Sequence, residues 1–169
     1  MNCIAVVDGH WGIGRDNTLL FSIPGDMARF RELTTGGVVI MGRKTLESLP
    51  RSEPLKNRIN VVFTRDESMQ VPGAVICRSL PDLAETLKMH EPHNVFVIGG
   101  EAIYRLLLDY CEFAYITKVD ANGHADRFFP DLDKEIAWVV DEQSEPASHN
   151  GLHYHFLRYH NRCPKSIPE

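Results

Sequence analysis

Residues 38–45 read Val-Val-Ile-Met-Gly-Arg-Lys-Thr, and they indicate a strand that runs directly into a helix. Val38–Met41 is a continuous apolar run instead of an alternating one, which is typical of a strand covered by helices on both faces. Gly42 ends the run, and the residues after it suit a helix start. A covered strand followed at once by a helix is the unit from which α/β proteins are built.

Comparable apolar runs bounded by turn residues recur along the chain. They predict strands at Cys3–Val7, Ile59–Phe63, Ala74–Cys77, Val95–Ile98 and Ala114–Val119. Helices are predicted between the runs, at Pro24–Thr35, Arg43–Leu49, Leu80–Met89 and Ala102–Leu108. Ser79 and Asp82 have the spacing of a capping box at the start of the third helix. This alternation predicts an α/β fold in a single domain.

After Pro130 the pattern changes to that of antiparallel strands. Trp138–Glu145 and Leu152–His160 flank a turn-rich segment, and they predict a hairpin and a mixed sheet. Three long segments lack a clear pattern and are predicted to be functional loops, namely Gly9–Phe21, Pro50–Asn57 and Asp120–Pro130. We expect the domain to cover residues 1–162. Cys163–Glu169, with two prolines, is predicted to be a flexible tail.

The composition is that of an ordinary globular protein, with 43% hydrophobic and 24% charged residues in a chain of 169. A formal net charge of -5 provides no overall field that would attract nucleic acid. The four cysteines are widely spaced, the histidines near the end fit the wet face of a strand, and no metal site is predicted. Because no signal peptide and no apolar run of ~20 residues is found, we expect a cytoplasmic protein with no membrane partner.

Asp26 is a carboxylate on the apolar face of the predicted helix Pro24–Thr35. Helical periodicity places Asp26 and Met27 on the same side as Phe30, and it places Arg29 on the opposite, polar side. An acid on a covered apolar face loses solvation, so it needs a partner or takes up a proton. No basic residue shares its stripe, which makes a ligand a candidate partner. The alternative is an acid that merely favours the first turn of a helix.

Two strand-to-helix junctions are candidate anion sites. Gly42-Arg43-Lys44-Thr45 combines free backbone amides with two cations, but the strand itself fills the spacing of a Walker A loop and Arg43 interrupts that motif. A nucleoside triphosphatase is therefore disfavoured, and a solvated helix start remains the alternative. Gly99-Gly100 permits a close approach to the backbone by a ligand such as a pyrophosphate, although such a glycine pair more often forms a tight turn.

Three further polar residues are candidates, of which Arg58 and Arg65 flank a predicted strand and Thr117 lies within one. Arg65, after Thr64, could join the cations of the first junction in binding the extra phosphate of NADP. Arg58 could clamp a carboxylate, and the Thr117 hydroxyl could bond Asp26. Each also has an ordinary interpretation, as a solvated arginine or as a β-forming threonine.

Taken in order, a set of segments resembles bacterial dihydrofolate reductase as far as about Arg158. The set comprises Gly12-Ile13-Gly14, Ile23–Met27, Val39–Thr45, Glu47-Ser48, Arg58, Val97–Gly100, Tyr104, Thr117 and Phe128-Phe129-Pro130. The resemblance implies reduction of 7,8-dihydrofolate to 5,6,7,8-tetrahydrofolate with NADPH, by hydride transfer to pterin C6 and protonation of N5. It implies a three-layer fold with a largely parallel eight-stranded sheet, an antiparallel C-terminal strand and four helices on both faces.

The resemblance also implies roles for individual residues. Catalysis would involve Asp26 and Thr117. Substrate would contact Ile4, Val6, Asp26, Met27, Phe30, Leu49, Leu55, Arg58, Ile98 and Thr117. NADPH would contact Val6, Ile13, Gly14, Gly42, Arg43, Lys44, Thr45, Thr64, Arg65, Ile98, Gly99, Gly100, Glu101, Ala102, Ile103 and Tyr104. Asp126 would help to order the Gly9–Phe21 loop. Dihydrofolate and antifolate inhibitors are the expected ligands, and a monomer is expected because no long apolar stripe is exposed.

Two positions depart from the usual pattern of that family. Phe21 stands where Trp is usual, and it lacks the indole donor that can anchor a water near the pterin. Val6 stands where a smaller Ala is common, which would narrow the pocket. Two other functions remain open at this point: the pyrimidine reductase of riboflavin biosynthesis, which shares the fold, and a non-catalytic NADPH-binding module, to which only Phe21 points.

Overall fold

A long β-sheet runs through the middle of the protein, in a computed structural model that describes residues 1–168. The strands are β1 (Asn2–Val7), β2 (Gly12–Arg15), β3 (Thr18–Leu19), β4 (Val38–Gly42), β5 (Ile59–Phe63), β6 (Ala74–Cys77), β7 (Val95–Gly99), β8 (Phe113–Val119), β9 (Arg127–Phe128), β10 (Trp138–Gln143), β11 (Ala147–His149) and β12 (Leu152–Asn161). The main sheet has the order β10-β12-β8-β1-β7-β4-β5-β6, and β11 pairs with β12 beside this path.

The sheet is parallel from β8 to β6, and β12 is antiparallel to both of its neighbours, β8 and β10. The predicted fold class, a largely parallel eight-stranded sheet with an antiparallel C-terminal strand, is therefore confirmed. The predicted hairpin is also confirmed, with Trp138 opposite Asn161. The short strand β11 was not predicted, and it turns into β12 through Asn150 and Gly151, both of which have positive φ.

Four helices follow the predicted pattern, with small shifts at their ends. They are α1 (Pro24–Thr34), α2 (Arg43–Ser48), α3 (Leu80–Leu87) and α4 (Glu101–Leu107), with short 3-10 turns at Pro50–Ser52, Pro92–Asn94 and Leu108–Tyr110. The capping box of Ser79 and Asp82 is present at the start of α3. Among residues 1–168, no helix combines the length and the apolar composition that crossing a bilayer requires.

The side chains of β4 explain why its apolar run is continuous. Val38 and Ile40 belong to the larger core cluster, which also contains Leu83 of α3 and Leu107 of α4. Val39 and Met41 point to the other face of the sheet, where they form a second cluster with Leu46 of α2. Both faces of the strand are thus buried in hydrophobic core, since successive side chains alternate between them.

The segment Gly9–Phe21 was predicted to be a long loop, and this is wrong for the part that forms strands. β2 and β3 form a hairpin within it, and β9 from the segment Asp120–Pro130 pairs with β2 to complete a small antiparallel sheet. The hairpin turns at Asp16 and Asn17, which have φ values of 50° and 59°. Two consecutive residues with positive φ give the type I′ turn that matches the twist of a two-residue hairpin, and Asp and Asn tolerate this conformation.

Lys165 and Ile167, in the segment 163–168, contact the main body of the protein. The Lys165 amide donates to the Asp109 carbonyl at 2.8 Å, and the Lys165 Nζ lies 2.6 Å from Asp109 Oδ2. Ile167 packs against the larger core cluster. The flexibility of this tail stays a prediction, and its last residue, Glu169, lies outside the described residues.

Candidate active site

Asp26 lies in the first turn of α1, beside β8. Its Oδ1 accepts a 2.6 Å hydrogen bond from the Thr117 hydroxyl, and Thr117 is buried within β8. Burial raises the pKa of Asp26, while the Thr117 bond and the charge of Arg29 lower it, and the net effect is a raised pKa. The structure therefore brings together an acid and a fixed hydroxyl donor, in surroundings that favour proton uptake more than water does.

The apolar side of α1 is only partly covered by protein. Met27 is 41% exposed and Phe30 is half-buried, and Thr34 is the one fully buried residue of the helix. Ile23, just before the helix, is buried in a cluster with Val6 and Tyr154. Next to the acid, α1 thus leaves an apolar surface open to a ligand.

Arg29 does not lie on the solvent side of α1, and this part of the helical prediction is wrong. Its guanidinium carbon lies 4.5 Å from the centre of the Phe156 ring and 5.6 Å from that of Tyr115. These rings stand on β12 and β8, the strands beneath the helix. The long arginine side chain folds over them because its aliphatic part and its planar head both pack well on aromatic faces.

The predicted apolar contacts of the substrate lie on the strands and turns around Asp26. Val6 of β1 is in register with Thr117 of the parallel strand β8, so their side chains share one face of the sheet. Leu49, Leu55 and Ile98 are partly buried and pack against the second core cluster, on the side of α2. The Ile4 carbonyl accepts a 2.7 Å bond from the buried Tyr104 hydroxyl.

Arg58 lies at the far end of α1 from Asp26. Its Nη1 donates to the Thr34 hydroxyl at 3.2 Å, its Nε donates to the Lys56 carbonyl at 3.0 Å, and its guanidinium lies 5.8 Å from the centre of the Phe30 ring. Asp26 and Thr34 are eight residues apart in one helix, which corresponds to about 12 Å along the helix axis. The helix therefore places an anion near one end and a cation near the other, with Phe30 between them.

The predicted cofactor residues meet at the carboxyl ends of β4, β5 and β7. Gly42 is in register with Phe63, which precedes Thr64, and Met41 is in register with Gly99. The residues that follow these strand ends are Arg43, Lys44 and Thr45 after β4, Thr64 and Arg65 after β5, and Gly100, Glu101, Ala102 and Ile103 after β7. The predicted anion sites are thus neighbours along one edge of the sheet.

The glycine pair lies so close to Thr45 that a side chain on Gly100 would crowd it. A Cβ atom at Gly100 would lie 3.3 Å from Thr45 Oγ1, and Gly99 has a φ of 129°, which side chains rarely allow. The peptide between the two glycines is cis. Arg43, Lys44 and Arg65 are exposed, and Arg43 forms a 3.2 Å ion pair with Glu47. This edge offers backbone groups and exposed cations to a phosphorylated ligand, which is the chemistry that NADPH requires.

The small sheet contains Ile13 and Gly14, and two carboxylates bind backbone amides in and around it. The Asp126 amide donates to the Gly14 carbonyl at 3.0 Å, and its carboxylate accepts the Asp16 amide at 3.1 Å. Asp8 was missed by the sequence analysis. This residue accepts the amides of His10 and Gly12 at 2.8 Å and of Gly123 at 2.9 Å. Burial raises the pKa of Asp8, but these amide bonds lower it by more.

No metal-binding arrangement of three or more His, Cys, Asp or Glu side chains is found in the part of the chain that the structure describes. Cys3, Cys77 and Cys111 are buried thiols and Cys163 is exposed.

A sequence model of the dihydrofolate reductase family matches residues 1–161. The chain belongs to this family. A dihydrofolate reductase of Bacillus subtilis is 37% identical over 161 residues, which cover 94% of this chain and 93% of the relative. One from Staphylococcus aureus is 34% identical over 147 residues, covering 83% and 88%. A solved structure of dihydrofolate reductase from Enterococcus faecalis, complexed with NADP(H) and RAB-propyl, has a TM-score of 0.84 at 26% identity and 95% coverage of both chains.

Membership of the dihydrofolate reductase family confirms the resemblance predicted from the sequence. Such enzymes are NADPH-dependent oxidoreductases that reduce dihydrofolate, and the predicted activity and cofactor are confirmed at this level. The riboflavin-pathway alternative loses its support, because both relatives and the structural neighbour are dihydrofolate reductases.

Proposed function

We propose that Asp26 and Arg58 hold the two ends of dihydrofolate along α1. The observation that carries this proposal is the Asp26 carboxylate, half-buried, bonded to Thr117 and placed beside an uncovered apolar helix surface. Its Oδ2 has no hydrogen bond in the described part of the chain, and Oδ1 keeps a second lone pair. These acceptors suit the 2-amino group and N3 of a pterin, since both present N–H donors side by side.

Arg58 is the proposed partner of the glutamate α-carboxylate. The spacing of about 12 Å between the two ends of α1 suits a ligand with a flat heterocycle at one end and a carboxylate at the other. Nε and Nη1 of Arg58 are bonded, and Nη2 has no hydrogen bond within residues 1–168. A planar guanidinium anchored in this way is preorganised for a carboxylate. Apolar contacts would come from Ile4, Val6, Met27, Phe30, Leu49, Leu55 and Ile98.

NADPH would lie across the carboxyl ends of β4, β5 and β7. The residues proposed to contact it are Val6, Ile13, Gly14, Gly42, Arg43, Lys44, Thr45, Thr64, Arg65, Ile98, Gly99, Gly100, Glu101, Ala102, Ile103 and Tyr104. When bound, it supplies the hydride that reduces pterin C6. Arg65, with Thr64, would bind the 2′-phosphate, and the glycine pair would let the pyrophosphate approach the backbone.

Asp26 is proposed to control the proton that N5 takes up. Its carboxylate binds the far side of the pterin from N5, so a water would deliver the proton while the anion raises the basicity of the ring. Thr117 fixes the orientation of the carboxylate. Phe21 packs against the cluster that contains Val6, Ile23 and Tyr154, and it cannot donate a hydrogen bond to such a water. We also propose that the protein is a cytoplasmic monomer and that antifolates bind the same cleft.

The test is the loss of reduced-cofactor absorbance when dihydrofolate is added. We expect the wild-type protein to oxidise NADPH only when dihydrofolate is present. Asp26→Asn is expected to bind NADPH as tightly as the wild type and to lose about 100- to 10,000-fold in turnover at neutral pH. Glu32→Gln removes an exposed acid from the same helix and serves as the control. Full turnover by Asp26→Asn would refute the assigned role of Asp26.

A further inference from the structure

We propose that Arg29 is a positioning residue for catalysis, whose guanidinium, one helical turn after Asp26, holds the Asp26 carboxyl in its ionised form. This inference rests on the role proposed for Asp26. It assigns a function to the one residue of α1 whose placement the helical pattern predicts wrongly.

Arg29 and Asp26 are neighbours on the surface of α1. Residues three apart in a helix are neighbours on its surface, so Arg29 and Asp26 lie on adjoining parts of α1. The guanidinium is turned inward, 4.5 Å from the centre of the Phe156 ring, and its Nη1 is buried with no hydrogen-bond partner in the described residues. A buried donor without a partner is costly, and such groups are rare in proteins.

Few carboxylates are available to pair with the Arg29 guanidinium. Glu142 of β10 is an acid that acts on Arg29 from the sheet, but its Oε2 lies 3.0 Å from Nη1 of Arg158, on β12. Nε of the same Arg158 lies 3.0 Å from Asp141. Arg158 is thus shared between these two acids, and it offsets part of the negative charge that Glu142 presents to Arg29. Besides Glu142, the carboxylate that favours the charge of Arg29 is Asp26.

Opposing effects act on the charge of the Asp26 carboxyl. The groups that face it are the Thr117 hydroxyl from β8, Arg29 on its own helix and the Tyr104 hydroxyl from α4. The groups that face Arg29 are Asp26, Tyr115 on β8, Glu142 on β10 and Arg158 on β12. Burial raises the pKa of Asp26, and Arg29 is the cation that opposes this effect. The guanidinium stays charged at any working pH, so its field is constant.

A role in pH control follows from this balance. Without the positive charge, the protonated carboxyl would persist to higher pH, and the free site would offer the pterin one acceptor fewer. A residue that only packs on the two aromatic rings would be replaced well by methionine, which has a similar length and no charge. Charge and packing can therefore be separated by substitution.

The test compares Arg29→Met, Arg29→Gln and Arg29→Lys with the wild type. In the free enzyme, the carbon-13 NMR signal of the Asp26 carboxyl, assigned by its absence in Asp26→Asn, is followed as pH is raised. Hydride transfer is measured over the same pH range in single turnovers with NADPH and dihydrofolate. Lys134→Met is the control, because it removes an exposed cation that is paired with Asp131.

We expect the midpoint of the Asp26 titration to move to higher pH in both neutral variants and to stay near the wild-type value in Arg29→Lys and Lys134→Met. The pH at which hydride transfer falls is expected to move in the same direction, since loss of a cation favours protonation of both the acid and the bound ring. Unmoved midpoints in Arg29→Met and Arg29→Gln would overturn the inference. If the proposed function itself were wrong, the wild type would not oxidise NADPH when dihydrofolate is added, which is a different result from unmoved midpoints.

Discussion

The Thr117 hydroxyl donates a 2.6 Å hydrogen bond to Asp26 Oδ1 across a separation of 91 residues in the chain. The donor belongs to β8 and is 2% exposed, whereas the acceptor belongs to the first turn of α1. Hydrogen bonds to an ionised group are about twice as strong as those between neutral groups. This bond therefore orients the carboxylate and also stabilises its charge, and substitution of Thr117 can test both effects.

Thr117→Val is expected to remove the donor while keeping the branched shape of the side chain. We expect kcat/KM for dihydrofolate to fall about 10- to 100-fold, the range for a hydrogen bond to a charged group. Because the hydroxyl lowers the pKa of Asp26, its loss moves the pH profile of hydride transfer to higher pH. Thr117→Ser keeps the donor and is expected to behave much like the wild type. Equal losses in Val and Ser variants would indicate a packing role instead.

Arg58→Met tests the other end of the proposed substrate site. The variant keeps the contact with Phe30 and loses the guanidinium, so we expect KM for dihydrofolate to rise about 10- to 100-fold. A dihydropterin without the glutamate tail should be reduced equally well by variant and wild type. Arg51→Met, which changes an exposed arginine in the nearby 3-10 turn, is the control. A similar loss with both substrates would contradict the role of Arg58.

The sequence was sufficient to predict the sheet and the meeting of the anion-binding segments. Strands such as β4 are buried on both faces, so their composition alone identifies them, and the ends of neighbouring parallel strands must meet. Asp26 was predicted for a similar reason, since a carboxylate interrupts an apolar stripe. The raised pKa of this residue agrees with that interpretation.

The small sheet, Asp8 and Arg29 could not be predicted because their structures depend on distant parts of the chain. β3 and β9 have two residues each, too few for a periodic pattern. One amide bonded by Asp8 comes from Gly123, 115 residues away. Arg29 belongs to the polar side of its helix by periodicity, and only the rings supplied by β8 and β12 draw it inward.

Arg65→Gln tests whether the residues after β5 distinguish NADPH from NADH. If Arg65 binds the 2′-phosphate, the loss of one charge-assisted contact should raise KM for NADPH about tenfold or more and leave KM for NADH unchanged. KM for NADPH in Arg65→Lys should lie between the values for the wild type and Arg65→Gln, because lysine keeps the charge without the planar guanidinium. Lys56→Gln, a change of an exposed cation outside the proposed cofactor site, is the control. Parallel losses for both cofactors would place the 2′-phosphate elsewhere.

Asp8→Asn tests how the small sheet is attached to the main one. The substitution leaves one carbonyl oxygen for the two amides at Oδ1 and places an NH2 group against the Gly123 amide, so a buried donor loses its acceptor. We expect the free energy of unfolding at neutral pH to fall by about 2 kcal/mol, measured by urea denaturation. Asp16→Asn, an exposed acid in the same sheet, should change it by less than about 0.5 kcal/mol.

The difference in free energy of unfolding between the wild type and Asp8→Asn should also depend on pH. The amides lower the pKa of Asp8 in the folded protein, so the folded state binds a proton less readily than the unfolded chain. The stabilisation by the carboxylate is therefore complete above the unfolded pKa of about 3.9 and is lost as the pH falls through the folded pKa. Urea midpoints of the two proteins should converge in acid, while those of wild type and Asp16→Asn stay together throughout. A constant difference from neutral pH down to about pH 3 would show that the Asp8 carboxylate does not stabilise the fold through its charge.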